Sequence, residues 1–583
     1  MRIAITATGA GRVAIGDLDG PERHEVDREH LPALVARLEA EHAPRWVWRD
    51  TREWAPFLLA RGVRVARCHD LRLCGAILAW STAVATARGE APARPEWLPP
   101  GPAEAPVDEP VAPVASVAAH AALFELDAPG EVLSGGGSRH PSLADLAAEH
   151  DRQLALADAA DSPGAMRLLL AAESAGALVA AELRAAGLPW DRGEHERVLE
   201  AALGPRPAPG RKPDRMEELA RAVREALDAP SLNVDSHGDL LRALRAAGIG
   251  VGSTARWQLR EHDHPAIEPL LAYKRLARLW SANGWAWLDE WIVDRRLRAE
   301  YVAGGTATGR WATSGGGALQ LPKVVRGAVT ADEGWSLVVA DASQLEPRVL
   351  AALARDPAMA AAGRGRDLYR AIVDAGVVET RDEAKVALLG AMYGATSGDS
   401  GRLVPRLGRA YPRAMALVDE AARTGEAGRR VTTLLGRSSP LPPTSWHETQ
   451  ARANGVDATA ADERRARSAA RDWGRFTRNF VVQGTAAEWA LCWMASLRPR
   501  LAAMSLPPGA PPASASGPAF ERMPHLVYFL HDELIVHAPD ELTGVVADAV
   551  RESATEAGRL LFGEAPVEFP LDLDIVRNYA AVS

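Results

Sequence analysis

Two acidic segments far apart in the chain carry the first hint of chemistry. The run Trp335-Ser-Leu-Val-Val-Ala-Asp341 delivers an aspartate at the end of an apolar, strand-like stretch. The run Leu526-Val-Tyr-Phe-Leu-His531-Asp532-Glu533-Leu-Ile-Val-His537 reads as a β-hairpin whose polar turn presents two carboxylates and an imidazole. A carboxylate held at a strand end and open to solvent suits a hard divalent cation. Taken singly, Asp341 reads equally well as a helix cap, and the His-Asp-Glu turn as a solvated loop. Taken together, Asp341 and Asp532 suffice for two Mg²⁺ ions, because Mg²⁺ takes one or two protein carboxylates and completes its shell with water and phosphate oxygens. Two such ions about 4 Å apart can activate a hydroxyl and stabilise a leaving pyrophosphate.

Three further segments offer partners for that chemistry. Arg381, Lys385, Leu389 and Tyr393 recur every four residues and form one drifting stripe on a helix, cationic at one end and aromatic at the other. The cations suit a triphosphate and the apolar end suits a base. A solvated basic face with a core-facing Leu and Tyr has the same spacing. Arg475, Asn479 and Gln483 repeat the interval; such a face can donate to minor-groove acceptors, which are similarly placed in every base pair, or it can be an ordinary polar helix side. The loop Gly304-Gly-Thr306-Ala-Thr308-Gly309-Arg310, followed by Leu319-Gln320-Leu-Pro322, allows close approach to a nucleic-acid backbone, although a Gly-rich loop alone says little.

The elements that must position these groups fall into a multidomain chain. Its 583 residues are 47% hydrophobic and 25% charged, a globular composition that predicts three to five domain-sized units. The net charge of −9 argues against a passive basic nucleic-acid coat, but an enzyme with local basic faces and metal-binding carboxylates remains open. Three cysteines make neither a disulfide framework nor a zinc site. No signal peptide or membrane span is expected, and the cytoplasm is the default location. Residues 1 to about 88 read as a small α/β unit. A proline-rich segment follows over 89–118, and a Ser/Gly break at 134–138. Helical periods dominate from about 142 to 300, strands and helices mix afterwards, and 503–518 is too rich in Pro, Ser and Gly for a packed element.

Across about 165–583 the five segments resemble, in order and spacing, those of family A (DNA polymerase I-type) DNA polymerases. TATGRWAT…LQLP resembles TxTGRLSS…NLQNIP, and DASQLEPRVLA resembles DYSQIELRVLA. RDEAKVALLGAMYG resembles RxxxKxxxFGxxYG, NFVVQGTAAEWA resembles NxxxQGTAADxx, and HDE resembles VHDE. The resemblance implies an α/β and α+β multidomain fold: an N-terminal RNase H-like, exonuclease-type α/β domain over 1–165 and a right-hand polymerase over 166–583. Within it the thumb spans about 180–300, the palm about 300–356 and 471–583, and the fingers about 357–470.

It implies a DNA-directed DNA polymerase, a nucleotidyltransferase that extends a primer 3′-end with dNTPs and serves DNA replication or repair. Asp341 and Asp532 hold two Mg²⁺ ions, with Mn²⁺ able to substitute, and Glu533 supports them. Glu346 bars a ribose 2′-hydroxyl and Tyr393 backs it. Arg381 and Lys385 bind the triphosphate, with Lys385 also a proton donor to pyrophosphate; Leu389, Gln344 and Asp367 lie near the nucleotide. Arg310, Gln320, Arg475, Asn479, Gln483 and His531 contact primer-template DNA. A monomer is expected, nucleoid-associated in the cytoplasm and without membrane partner.

Three positions depart from the family pattern. Leu389 replaces Phe or Tyr, Ala342 replaces Tyr, and Tyr369 replaces the His of a D-I-H segment. In the first 165 residues and just beyond, the exonuclease motifs are degenerate: Cys74 and Ser174 stand where aspartates are expected, and Asp50 and Glu53 have the wrong spacing. Proofreading is therefore not expected, and the chain looks too short for a 5′-nuclease domain. The rival readings are a polymerase-like protein that grips primer-template with weak or no catalysis, and a 3′–5′ exonuclease.

Overall fold

The computed structural model describes residues 1–9, 11–84, 94–101, 140–394 and 398–582, without the side chains of Gln320 and 398–400. Most of the proline-rich segment and the Ser/Gly break at 134–138 lie outside the described residues. The chain divides into two compact units: Met1–Gly187 with Glu300–Gly315 and Glu333–Val576, and Leu188–Ala299 with Gly316–Asp332 and Arg577–Ser583.

The first unit opens with strands β1 (Arg2–Gly9), β2 (Arg12–Asp17), β3 (Arg23–Asp27), β4 (Arg45–Trp48) and β5 (Arg67–Asp70). Their order is β3-β2-β1-β4-β5; the first three pair antiparallel, and β4 and β5 continue in parallel. This is the mixed sheet of the expected RNase H-like layer. Apolar residues alternate along β1 and β2, and Ile3, Ile5, Val13, Ile15, Trp46 and Trp48 meet Trp54 and Leu58 in one core.

Helix Pro163–Ala186 covers β5 and also packs on the long helix Ala460–Ala502. The expected boundary near 165 is therefore not a division between compact units. By length and composition this helix could cross a membrane, contrary to the expectation that no segment would, yet most of its apolar window is buried inside the fold. Apolar residues on all sides suit a core helix as well as a membrane span.

A second sheet of the same unit holds the acidic segments. Strands β6 (Trp335–Ala342), β7 (His525–Leu530), β8 (Glu533–Pro539) and β9 (Leu571–Val576) lie in the order β7-β8-β6-β9, all antiparallel. Helix Thr543–Phe562 packs on β6 and β8, and Ala460–Ala502 on β7. Central β6 is buried along nearly its whole length, which explains its apolar run from Leu337 to Ala340. Between β6 and the long helix, the described residues form seven helices, from Leu345–Ala354 to Thr444–Ala453. A Thr459–Asp462 capping box starts the long helix at Ala460, so the expected fingers–palm boundary at 470 falls inside one continuous element.

The second unit is mainly helical around Trp190, His195 and Trp287, whose rings lie 5.4–5.6 Å apart. It begins at 188 rather than 180. It also takes in Gly316–Asp332 and Arg577–Ser583, which the family resemblance places in the palm. Asn578 explains why: its side chain donates to Gly327 O and Thr330 Oγ1.

Candidate active site

The turn between β7 and β8 builds the acidic centre. Leu530 pairs with Glu533, leaving His531 and Asp532 as a two-residue loop, and His531 takes φ +58°, as such tight turns demand. Ala342 N donates to Asp532 O at 2.8 Å, which fastens the turn to the end of β6. Asp341 stands opposite Glu533 on β8 and Asp572 on β9, so the three carboxylates share one face of the sheet.

Burial, followed by the neighbouring Asp341, pushes Asp532 up to about 7. Burial, then Glu533 and Asp572, pushes Asp341 up to about 6. Arg310 opposes the rise at Asp532 and, after burial, helps push His531 down to about 3. Crowded carboxylates with raised pKa values form a site that positive charge would stabilise. The described residues contain no ready-made cage of three or more His, Cys, Asp or Glu ligands. A pair of half-buried carboxylates nonetheless fits Mg²⁺, which takes one or two protein carboxylates and keeps much of its water.

The cationic stripe lies on helix Arg381–Tyr393, started by a Thr380–Glu383 capping box. Arg381 donates to Asp367 at 2.8 and 3.1 Å and sits 5.5 Å from the centre of the Tyr369 ring. Asp367 also caps Arg370 N, and Gln344 Oε1 accepts from Leu368 N at 2.8 Å. Oxygens of Gln344 and Asp367 are thus engaged within the protein. Lys385 is exposed, while Leu389 and Tyr393 are half-buried. Tyr393 OH donates to Glu346 Oε2 at 3.0 Å, and Arg310 pairs with the other oxygen. Glu346 lies in the first turn of Leu345–Ala354, directly after the Asp341 strand.

On the long helix, Asn479 and Gln483 are buried and Arg475 pairs with Asp472. Asn479 Oδ1 and His531 Nδ1 are buried atoms with no hydrogen-bond partner among the described residues. Such orphans are rare in stable folds and mark places where a bound partner can supply the missing bond. Gln320 ends the short helix Ala318–Gln320 of the second unit, and its side chain lies outside the described residues.

The degenerate positions near β5 also meet. Cys74 Sγ lies 3.3 Å from Ser174 Oγ, both buried. Asp70 accepts from Leu73 N and Thr51 N, and Asp50 pairs with Arg52 and Arg72. Neutral side chains and internally paired carboxylates make a poor site for two cations.

Together the antiparallel acidic sheet, the cationic helix and the long polar helix define a polymerase fold of one family. The family profile of DNA polymerase family A matches residues 214–580, and the chain belongs to this family. Among its relatives is the thermostable DNA polymerase I of Thermus filiformis, 27% identical over 403 residues, which cover 62% of this chain and 43% of that protein. The Thermus aquaticus enzyme is 26% identical over 444 residues, 66% of this chain and 47% of its own. The chain thus spans less than half the length of these relatives. The solved POL domain of Pol1 from M. smegmatis, in complex with DNA primer-template and dNTP, aligns with all of this chain and 96% of its own. The TM-score is 0.65 and the identity 19%, a likeness of fold.

Two features were not singled out from sequence. Asp572 joins the acidic face because β9 pairs with β6; the alternation in Leu571-Asp-Leu-Asp574 was its only signal. Arg348 is buried and donates to the carbonyls of Ser343, Gly363, Arg366 and Glu568, tying the helix after β6 to the following segments. An arginine inside an apolar helical run was its signal.

Proposed function

We propose that this chain is a DNA-directed DNA polymerase that extends a primer 3′-end with dNTPs on a DNA template. The observation that carries the reading is the Asp341–Asp532 cluster beside a Glu346 side chain gripped by Arg310 and Tyr393. Asp341 and Asp532, with Glu533 beside them, are the residues that hold Mg²⁺ or Mn²⁺; when bound, such a pair supplies charge neutralisation at the phosphates and a more acidic 3′-hydroxyl. Arg381 leaves Asp367 for the triphosphate, while Asp367 and Gln344 position it. Lys385 gives a proton to departing pyrophosphate. Leu389 and Tyr393 lie against the base, and Glu346 excludes a 2′-hydroxyl. Arg310, Arg475, Asn479, Gln483, His531 and Gln320 hold primer-template, checking pair shape more than sequence. The chain works as a monomer in the cytoplasm, at the nucleoid, in replication or repair. The N-terminal layer is structural and does not proofread.

Primer extension with Mg²⁺ and four dNTPs tests this. Lengthening of the primer is expected. A shift in DNA mobility without lengthening would overturn it in favour of a binding protein. Mg²⁺-dependent loss of single-stranded DNA that survives Asp532→Asn would overturn the non-proofreading reading. Leu389→Phe restores an aromatic face toward the nucleotide. It is expected to lower the KM for dNTP by about 3- to 10-fold with little change in kcat, the scale of one aromatic contact. Steady-state kinetics at saturating primer-template measure the change.

A further inference from the structure

We infer that the buried Glu173–Arg437 ion pair is a positioning element for Arg310, and through it for the sugar selectivity of Glu346. The inference rests on the polymerase reading above. Glu173 is 1% exposed and Arg437 9%, and they meet across 264 residues of sequence. Glu173 comes from helix Pro163–Ala186, and Arg437 from a tight loop over 432–438.

That loop is clamped from three sides. Thr433 N donates to Arg437 O at 2.8 Å, and Arg437 N donates to Thr433 Oγ1 at 2.9 Å. Glu488 of the long helix accepts from Leu435 N at 3.1 Å and from Thr433 Oγ1. Ser81 Oγ donates to Gly436 O at 2.6 Å. The Arg437 side chain therefore leaves a fixed backbone.

The segment carrying Arg310 lies directly on this pair. A Cβ on Gly304 (φ +62°) would fall 2.5 Å from Glu173 Oε1, and one on Gly309 (φ +85°) 2.6 Å from Arg437 Nε. A side chain at either position would displace the ion pair, and both conformations favour glycine. Between the glycines the segment closes on itself: Thr306 N and Oγ1 both donate to Arg310 O, and Gly309 N donates to Thr306 O. The ion pair thus sets where the Arg310 backbone stands, and the Arg310 guanidinium in turn holds Glu346. A salt bridge needed only for stability could be replaced by apolar residues; the double glycine contact ties this pair to one loop.

Single-nucleotide incorporation of dNTP and matching rNTP by wild type, Arg437→Lys, Arg310→Ala and the double variant tests the inference. In folded Arg437→Lys, verified by its melting curve, discrimination against the rNTP is expected to fall about tenfold, and the double variant to be no worse than Arg310→Ala alone. Unchanged discrimination, or single effects that simply multiply, would overturn it. If Arg437→Lys does not fold, Glu173→Gln, which keeps shape and one acceptor, is measured in its place with the same outcomes. Hydrogen exchange over 304–310 gives a readout without catalysis: faster exchange in the variant is expected and unchanged exchange contradicts the inference. Wild type that incorporates nothing would sink the polymerase reading itself, and exchange would then decide the positioning role alone.

Discussion

Asp532→Asn is expected to lower the rate of nucleotide incorporation by on the order of 10³-fold or more while making the folded chain more stable at pH 8. The two effects share one cause. The Asp532 carboxylate is crowded by Asp341 and largely withdrawn from water, so its folded pKa rises to about 7 from an ordinary 3.8. The folded state therefore binds a proton that the unfolded state lacks between these values. Stability from this group is complete below pH 3.8 and is lost as pH rises toward 7, so the ionised carboxylate opposes folding at pH 8. An amide removes that opposition. Allowing for its partial exposure, the gain is about 1–3 kcal/mol at pH 8 and near zero at pH 4. Urea unfolding at the two pH values measures it. Mg²⁺ is expected to stabilise wild type and to have little effect on the variant. A variant that loses both activity and stability at pH 8 would assign Asp532 to the fold and not to the site.

Glu346→Ala is expected to reduce discrimination against ribonucleotides by on the order of 10²-fold in the ratio of kcat/KM values. Glu346 is 12% exposed, and its oxygens are held separately by Tyr393 OH and Arg310. A side chain gripped at both oxygens cannot easily swing aside for an added hydroxyl, so on the proposed reading it would act as a wall. Glu346→Gln preserves the shape and should retain most of the discrimination. Tyr393→Phe frees one oxygen and should lose only a few-fold, the worth of one hydrogen bond. Competition between dNTP and rNTP in single-nucleotide insertion measures all three. Equal losses with both sugars would show that Glu346 supports the fold and does not sense the sugar.

Local chemistry makes the acidic hairpin, the cationic helix face and the Arg475–Asn479–Gln483 helix face legible in sequence. The His531–Asp532 turn and the four-residue spacings are signals carried within a few residues. What stayed hidden depends on pairing across long separations. Asp572 becomes part of the acidic face only because β9 chooses β6 as its neighbour. Glu173 and Arg437 find each other across 264 residues, and neither stands out in its own segment. The second unit gathers Gly316–Asp332 and Arg577–Ser583 through contacts such as Asn578 with Thr330, which no linear pattern announces. Gln344 and Asp367 are expected near the nucleotide, and only the three-dimensional structure shows that their oxygens also engage Leu368 N, Arg370 N and Arg381.

The most direct test counts Mn²⁺ by electron paramagnetic resonance, with a dideoxy-terminated primer-template and a matched dNTP that cannot react. Wild type should bind two ions per chain, and Asp341→Asn and Asp532→Asn fewer. Two ions retained in either variant, or none in wild type, would contradict a metal site built on these two aspartates.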